Sequence, residues 1–283
     1  MKPRNLLRFA GPALFGGLLL VVTPAAFAQS ASTYVASASE KYRMGDFDSA
    51  IEDYTKALDL NSSYLGAYNG RGLAKSHQGN FDGAIADFSA AIKLKPAFTE
   101  AYFNRGNAAF LQGNMDMAIA DYSKVIELKP DHGQAYFHRA LARDCETNYD
   151  GAASDYAKAK ELQPGNGEAN SSIAVHAALL AKRTGDDVNA QLKPAVGWSD
   201  AWSKGLASFL SGKISEDQLL SLAGRAEGDV QTRQQCEAWY FIGMTKLIAG
   251  NKVAAKADFQ KAFDASGPSL IVHRLARVEL DRS

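Results

Sequence analysis

Charge in excess of either sign, cysteine and proline are all scarce in this chain. Its 283 residues carry 31 Lys plus Arg against 31 Asp plus Glu, a balance that leaves no electrostatic footprint for nucleic acid or an anionic membrane. Proline is held to 8 residues while 46% of the chain is hydrophobic, so it is globular and long enough for one or two domains. The histidines His77, His132, His138, His176 and His273 lie far apart, with no carboxylate spacing that makes a metal-ligand set. There is no Gly-rich phosphate loop and no G-x-S-x-G turn. No metal, no cofactor and no catalytic residue is therefore predicted, and the chain is read as a non-enzyme.

A long hydrophobic run is also missing. The apolar stretch from about Phe9 to Val22 is roughly 14 residues, against the roughly 20 that a membrane helix needs. Lys2, Arg4 and Arg8 precede it and Ala26-Phe27-Ala28 follows it. This order predicts a secretory signal peptide over residues 1–28, cut after Ala28. No cysteine follows the run to take a lipid, so no stable membrane anchor is expected. Losing three cations with the leader takes the mature chain to a net charge of about −3. The only cysteines are Cys145 and Cys236. A bond between them would lock the C-terminal part onto the fourth repeat, but their places in first helices of separate units favour two buried thiols.

What the chain has in abundance is self-similarity. At a period of 34 residues, Tyr68, Tyr102 and Tyr136 share one column, Arg71, Arg105 and Arg139 a second, and Gly72, Gly106 and Ala140 a third. Ala84, Ala118 and Ala152 align further on, then Phe88, Tyr122 and Tyr156, then Pro96, Pro130 and Pro164. Each unit reads as two antiparallel helices, the small residue of the first receiving the aromatic of the second. Gly113 ends a first helix by taking a left-handed conformation, and Pro130 stops a second. One such hairpin cannot bury both faces, whereas stacked copies can.

This pattern resembles the tetratricopeptide repeat (TPR). The resemblance implies an all-α TPR α-solenoid, a right-handed superhelix of antiparallel helix hairpins. Residues 29–183 are predicted to form four hairpins and a capping helix, 184–197 a linker, and 198–283 a C-terminal helical module. The first hairpin is the degenerate, capping one, with Ala38 in the small position and Lys41 where a bulky residue is usual.

Aspartates recur one position before the second aromatic, at Asp53, Asp87, Asp121 and Asp155. Arg71, Arg105 and Arg139 each follow an Asp by 18 residues. The spacing predicts structural pairs between successive hairpins: Asp53 with Arg71, Asp87 with Arg105, and Asp121 with Arg139.

In TPR superhelices the first helices line the concave side. The residues predicted on that face are Val35, Ser39, Tyr42, Asn69, Leu73, Ser76, Phe103, Asn107, Phe110, Phe137, Leu141 and Asp144. Apolar and aromatic side chains dominate and none is cationic, which argues against capture of a C-terminal carboxylate. Tyr42, Asn69, Leu73, Phe103, Asn107, Phe110, Phe137 and Leu141 are the candidate partner-binding groove, an apolar floor edged by amides that suits a helix or extended peptide of another protein. The alternative is that neighbouring helices of the chain itself pack over Phe103, Phe110 and Phe137.

Beyond the linker, Trp198, Trp202, Leu206 and Leu210 recur every four residues as an amphipathic helix. Ser215 and Gln218 form a capping box for a helix over 216–223. The repeat pattern returns once in Trp239, Gly243, Gly250, Ala255, Phe259 and Ala262, with Asp258 in the aspartate column, and a final helix runs from about Ser269 to Glu279. The segments 210–219, 236–243 and 271–280 resemble the C-terminal module of the NlpI family of periplasmic lipoproteins. That resemblance implies a periplasmic adaptor for cell-envelope or peptidoglycan enzymes, with a homodimer through this module. The rival reading is a self-associating structural or regulatory subunit, with the Trp198–Leu210 helix and the final helix as its dimer surface.

Overall fold

The computed structural model describes residues 30–163, 168–193, 197–265, 267 and 270–282. The predicted leader and Pro164, Pro194 and Pro268 lie outside them. Eight helices pair into four antiparallel hairpins: α1 (Ala31–Arg43) with α2 (Phe47–Leu60), α3 (Leu65–His77) with α4 (Phe81–Leu94), α5 (Thr99–Gln112) with α6 (Met115–Leu128), and α7 (Gly133–Cys145) with α8 (Tyr149–Leu162).

The turns explain why the chain folds back at these points. Gly45, Gly79 and Gly113 take φ of 79°, 77° and 99°, a region that costs a residue with a Cβ about 1–2 kcal/mol. The fourth turn places Thr147 there, at φ 60°. The next residue, Asp46, Asn80, Asn114 or Asn148, caps the second helix by accepting from the backbone N–H three positions on. Within each hairpin the helices touch through a missing side chain. A Cβ on Gly72 would lie 2.7 Å from the Phe88 ring, and one on Gly106 2.9 Å from Tyr122. The aromatics Phe88, Tyr122 and Tyr156 are 0–2% exposed as a result.

Seven further helices follow among the described residues: α9 (Glu168–Thr184), α10 (Val188–Leu192), α11 (Ala201–Leu210), α12 (Glu216–Ala223), α13 (Gly228–Ile248), α14 (Lys252–Ala265) and α15 (Ile271–Arg282). The α13–α14 pair is the fifth hairpin, with Gly243 against Phe259 as in the array. Ser215 and Gln218 make the reciprocal capping box of α12.

Three expectations are corrected. The predicted linker, 184–197, is partly helical in its described residues, where α10 forms. Asp187 caps α10 through the N–H groups of Asn189 and Ala190, and Leu192 is buried where α10 packs on α9. Nor does the C-terminal part stand off as a separate module, because one apolar core runs from Ala109 and Phe110 through α7 and α9 into α11, α13, α14 and α15. Finally, the apolar faces foreseen as a dimer surface are consumed internally only in part, since Trp202, Ile271 and Val278 stay half-buried. Trp198, Leu206 and Leu210 are 1–5% exposed, and Val272 and Leu275 are also buried. Cys145 and Cys236 are both buried in that core and no disulfide joins them.

Helix α15 fixes this closure. Arg274 donates from Nε and Nη2 to the carbonyl oxygen of Leu111, and Arg282 donates to that of Cys145. Leu111 and Cys145 occupy the same position of successive repeats, at the C-terminal ends of α5 and α7, where unpaired carbonyls and the negative end of the helix dipole attract a cation. Eight residues along α15 advance about 12 Å, so its two arginines meet two adjacent inner helices of the array. At the end of α9, Arg183 joins Asp144 (2.9 Å) to Glu279 of α15 (2.7 Å).

Candidate functional site

The aspartate column is a framework beneath the inner wall. Asp53, Asp87, Asp121 and Asp155 are only 3–4% exposed. Each arginine pairs with the aspartate of its own hairpin, not with that of the preceding one as the spacing of 18 suggested. Arg71 meets Asp87 at 3.0 and 2.7 Å, Arg105 meets Asp121 at 2.8 and 2.7 Å, and Arg139 meets Asp155 at 2.8 Å twice, each through Nε and Nη2. The reason is geometric. Gly72 receives Phe88 across the turn, so Arg71, one position earlier, faces Asp87, one position before the ring. The arginines do still tie successive repeats, because Nη1 of each reaches back to a hydroxyl of the preceding hairpin: Thr55, Ser89 and Ser123.

Among the described residues Asp53 has lysine partners and no arginine. Burial pushes its carboxyl up, but hydrogen bonds from Lys41, Ser37 and Lys56 outweigh this and hold it at about 2. Lys41 opens a second column of cations that the periodicity did not single out. Lys75, Arg143 and Lys246 follow, each bonded to the aspartate 12 residues on: Asp87, Asp155 and Asp258. The third hairpin has Ala109 at this place, so among the described residues Asp121 has Arg105 as its one cation.

The predicted groove residues divide into two groups. Phe110, Phe137 and Leu141 are 2, 7 and 1% exposed, packed into the core shared with α9, α13 and α15. They offer no surface to a partner, and the second half of the groove is in this sense filled by the chain itself. Asp144 is held by Arg183. Asn107 is engaged too, accepting from the Tyr122 hydroxyl at 2.8 Å, and Ser39 stands in the same relation to Tyr54 at 3.1 Å.

What remains on the inner wall is the first half. Asn69, Leu73, Phe103 and Asn104 are partly exposed, and Asn104 donates to the Asn69 side chain at 3.0 Å across adjacent hairpins. Tyr42 forms a ring cluster with Phe47 and His77, its centroid 5.6 and 5.5 Å from theirs. Asn104 was not among the predicted residues. Its signal was legible, since it lies one repeat and one position from Asn69 and next to Phe103.

A row of rings leads inward from this face. Phe103 lies 5.3 Å from His138, which lies 5.5 Å from Phe137, then His176 follows at 5.8 Å and Phe241 at 5.4 Å. Burial pushes His138 and His176 down to about 4.

Helix pairs stacked in register on a framework of repeated ion pairs define an all-α solenoid of helical-hairpin repeats. The Tetratricopeptide repeat family model matches residues 99–132, and a TPR repeat model matches residues 38–79 and 76–113. Residues 38–132 carry tetratricopeptide repeats, and the fold is an all-α TPR solenoid. A tetratricopeptide repeat protein from Parabacteroides merdae superposes with a TM-score of 0.60 at 19% identity, covering 89% of this chain and 99% of that one. A structure of MamA reaches 0.52 at 25% identity, over 56% of this chain and 92% of its own. YrrB, described as a TPR protein with an unusual peptide-binding site, reaches 0.51 at 19% identity, over 70% and 92%. No curated protein matches the chain in sequence.

Proposed function

We propose that this chain is an exported, non-catalytic adaptor that holds a peptide segment of another protein against the inner wall of its first three hairpins. TPR proteins typically mediate protein–protein contact, and the observation that carries the reading here is the Asn69–Asn104 amide pair beside half-exposed Leu73 and Phe103. Apolar anchors supply affinity to such a segment, and side-chain amides can pair with its backbone. The residues between Lys2 and Ala28 support export to the periplasm, and the resemblance of the last helices to the NlpI family supports a role in the cell envelope.

The test uses the mature chain as bait in periplasmic extract, beside a Phe103→Ala/Asn69→Ala variant. Capture of a defined protein by the native chain and its loss from the variant, with the helical content of the variant retained by circular dichroism, is the expected result. Equal capture by both removes the groove from the account. Fractionation of cells and N-terminal sequencing of the product, expected to begin at Gln29, test export separately.

A further inference from the structure

The turn that leaves the first hairpin departs from its counterparts. Where the later units read Lys95-Pro96, Lys129-Pro130 and Gln163-Pro164, the first reads Asn61-Ser62, followed by Ser63. Losing the proline completes a tripeptide, Asn-x-Ser with x other than Pro, that is the acceptor for asparagine-linked glycosylation in exported proteins. The sequence holds this tripeptide twice, at Asn61-Ser62-Ser63 and at Asn170-Ser171-Ser172.

The structure separates the two. Asn170 and Ser171 lie in α9 and are 8 and 0% exposed, so a sugar on Asn170 would have to be buried with it. By contrast Asp59, Leu60, Asn61, Ser62 and Ser63 are exposed without a break. Asn61 is the first residue past α2 and has extended backbone, φ −148° and ψ 92°, so its side chain is free of helical packing. Its carboxamide oxygen accepts from the Ser63 N–H at 3.0 Å, the local turn that asparagine favours. That bond engages the oxygen alone. Both N–H donors of Nδ2, and the Ser63 hydroxyl, are left without a protein partner among the described residues. The nitrogen that would carry the sugar and the hydroxyl that marks the acceptor are therefore both open to an enzyme. Leu60, 58% exposed beside them, is apolar surface that a glycan would cover.

We propose that Asn61 is an N-glycosylation site of the exported chain. The donor is a lipid-linked oligosaccharide, a sugar chain joined through its anomeric carbon to a polyprenyl pyrophosphate. The Asn61 Nδ2 attacks that carbon, and an N–C bond forms as the C–O bond to pyrophosphate breaks. The lipid pyrophosphate leaves with the electron pair, and the amide proton passes to a base of the transferase. Ser63 supplies the hydroxyl by which the transferase recognises its acceptor. Asp59 places an acid two positions ahead of the asparagine, which bacterial transferases of this class also select. The inference rests on the export reading, because donor and transferase meet their acceptor outside the cytosol, and it is independent of the groove.

The experiment purifies the chain from the cells that make it, digests it with trypsin and reads the peptides by mass spectrometry. Cleavage after Lys56 and Arg71 isolates the tripeptide in residues 57–71. The expected result is a form of this peptide heavier by whole monosaccharide residues, with fragmentation placing the added mass on Asn61. Asn61→Gln and Ser63→Ala should each abolish the gain, Ser63→Thr should keep it, and Asn170→Gln should leave it unchanged. A chain that begins at Gln29 yet yields peptide 57–71 only in its unmodified form overturns the proposal and leaves export standing. So does a gain that survives Asn61→Gln. A chain that stays in the cytosol with residues 1–28 attached removes the export reading, and the glycan with it.

Discussion

Arg274 donates twice to the carbonyl oxygen of Leu111, at 2.9 and 2.7 Å, and its guanidinium lies where a Cβ on Gly113 would be, 2.8 Å from Nη1. The last helix is thereby clamped onto the third hairpin across 163 residues of sequence. A charge-assisted hydrogen-bond contact is worth about 1.5–3 kcal/mol, and both donors share the one Leu111 oxygen, so Arg274→Ala should lower the urea midpoint by the equivalent of about 2 kcal/mol. Gly113→Ala should cost more than Gly45→Ala, although both glycines have positive φ, because a Cβ at Gly45 meets nothing within 4 Å whereas one at Gly113 meets the arginine. Once Arg274 is alanine, the difference between the two glycine sites should vanish. An unchanged difference would mean that the clamp does not form.

The aspartate column makes a graded prediction. Asp87 and Asp155 each have a second cation, Lys75 and Arg143, whereas Asp121 has only Arg105 among the described residues. Removing Arg71 or Arg139 leaves a carboxylate that is still paired. Removing Arg105 strands one that is 4% exposed. Breaking a buried pair from one side costs about 3–5 kcal/mol, and the partly exposed arginine places this case at the lower end, about 3 kcal/mol, against about 1–2 for the other two. Denaturant titration of the three alanine variants should rank Arg105→Ala last in stability.

These pairs also mark where the sequence could and could not be read. The 34-residue columns placed every helix of the four hairpins, because small-residue, aromatic, turn and cap positions all repeat with them. The spacing of 18 between Asp53 and Arg71 misassigned the pairs, although the match of Gly72 with Phe88 already implied that Arg71 meets Asp87. What periodicity does not carry is contact between distant, non-repeating parts. Nothing in the residues around Phe137 announces that α13 and α15 lie over them, because Arg274 and Leu111 are related only through the closed shape of the solenoid. The groove prediction therefore held Phe110, Phe137 and Leu141 together with Asn69 and Phe103, and the structure separates them.

Acid should loosen this closure before it unfolds the first hairpins. His138 and His176 are held down to about 4 by burial, and the unfolded chain binds their protons near 6.5. Between those values the unfolded state takes up more protons, so stability declines as pH falls from about 6.5 towards 4, by up to about 1.4 kcal/mol per pH unit for each histidine. Above 6.5 neither contributes a slope. Asp53, held at about 2, adds its own loss only below about 4. Melting temperatures from pH 7.5 to 4.5 should fall less steeply for His176→Gln than for the native chain, and parallel curves would show that the ring does not titrate in this way.

The repeat also predicts opposite outcomes for one substitution at two equivalent sites. Tyr122 gives its hydroxyl to Asn107, but in the next hairpin the place of Asn107 is taken by Leu141. The Tyr156 hydroxyl is buried and meets no hydrogen-bond partner among the described residues. Phe88, whose counterpart on the inner helix is Leu73, shows the apolar solution to the same position. Removing a satisfied buried hydroxyl together with its contact to Asn107 costs about 1 kcal/mol or more, whereas removing an unsatisfied one relieves a desolvation penalty of about 1–3 kcal/mol. Tyr122→Phe should therefore destabilise the chain and Tyr156→Phe should leave it equal or more stable. Equal losses at both sites, measured as shifts in the urea midpoint, would mean that the Tyr156 hydroxyl is bonded in solution and that Leu141 does not leave it stranded.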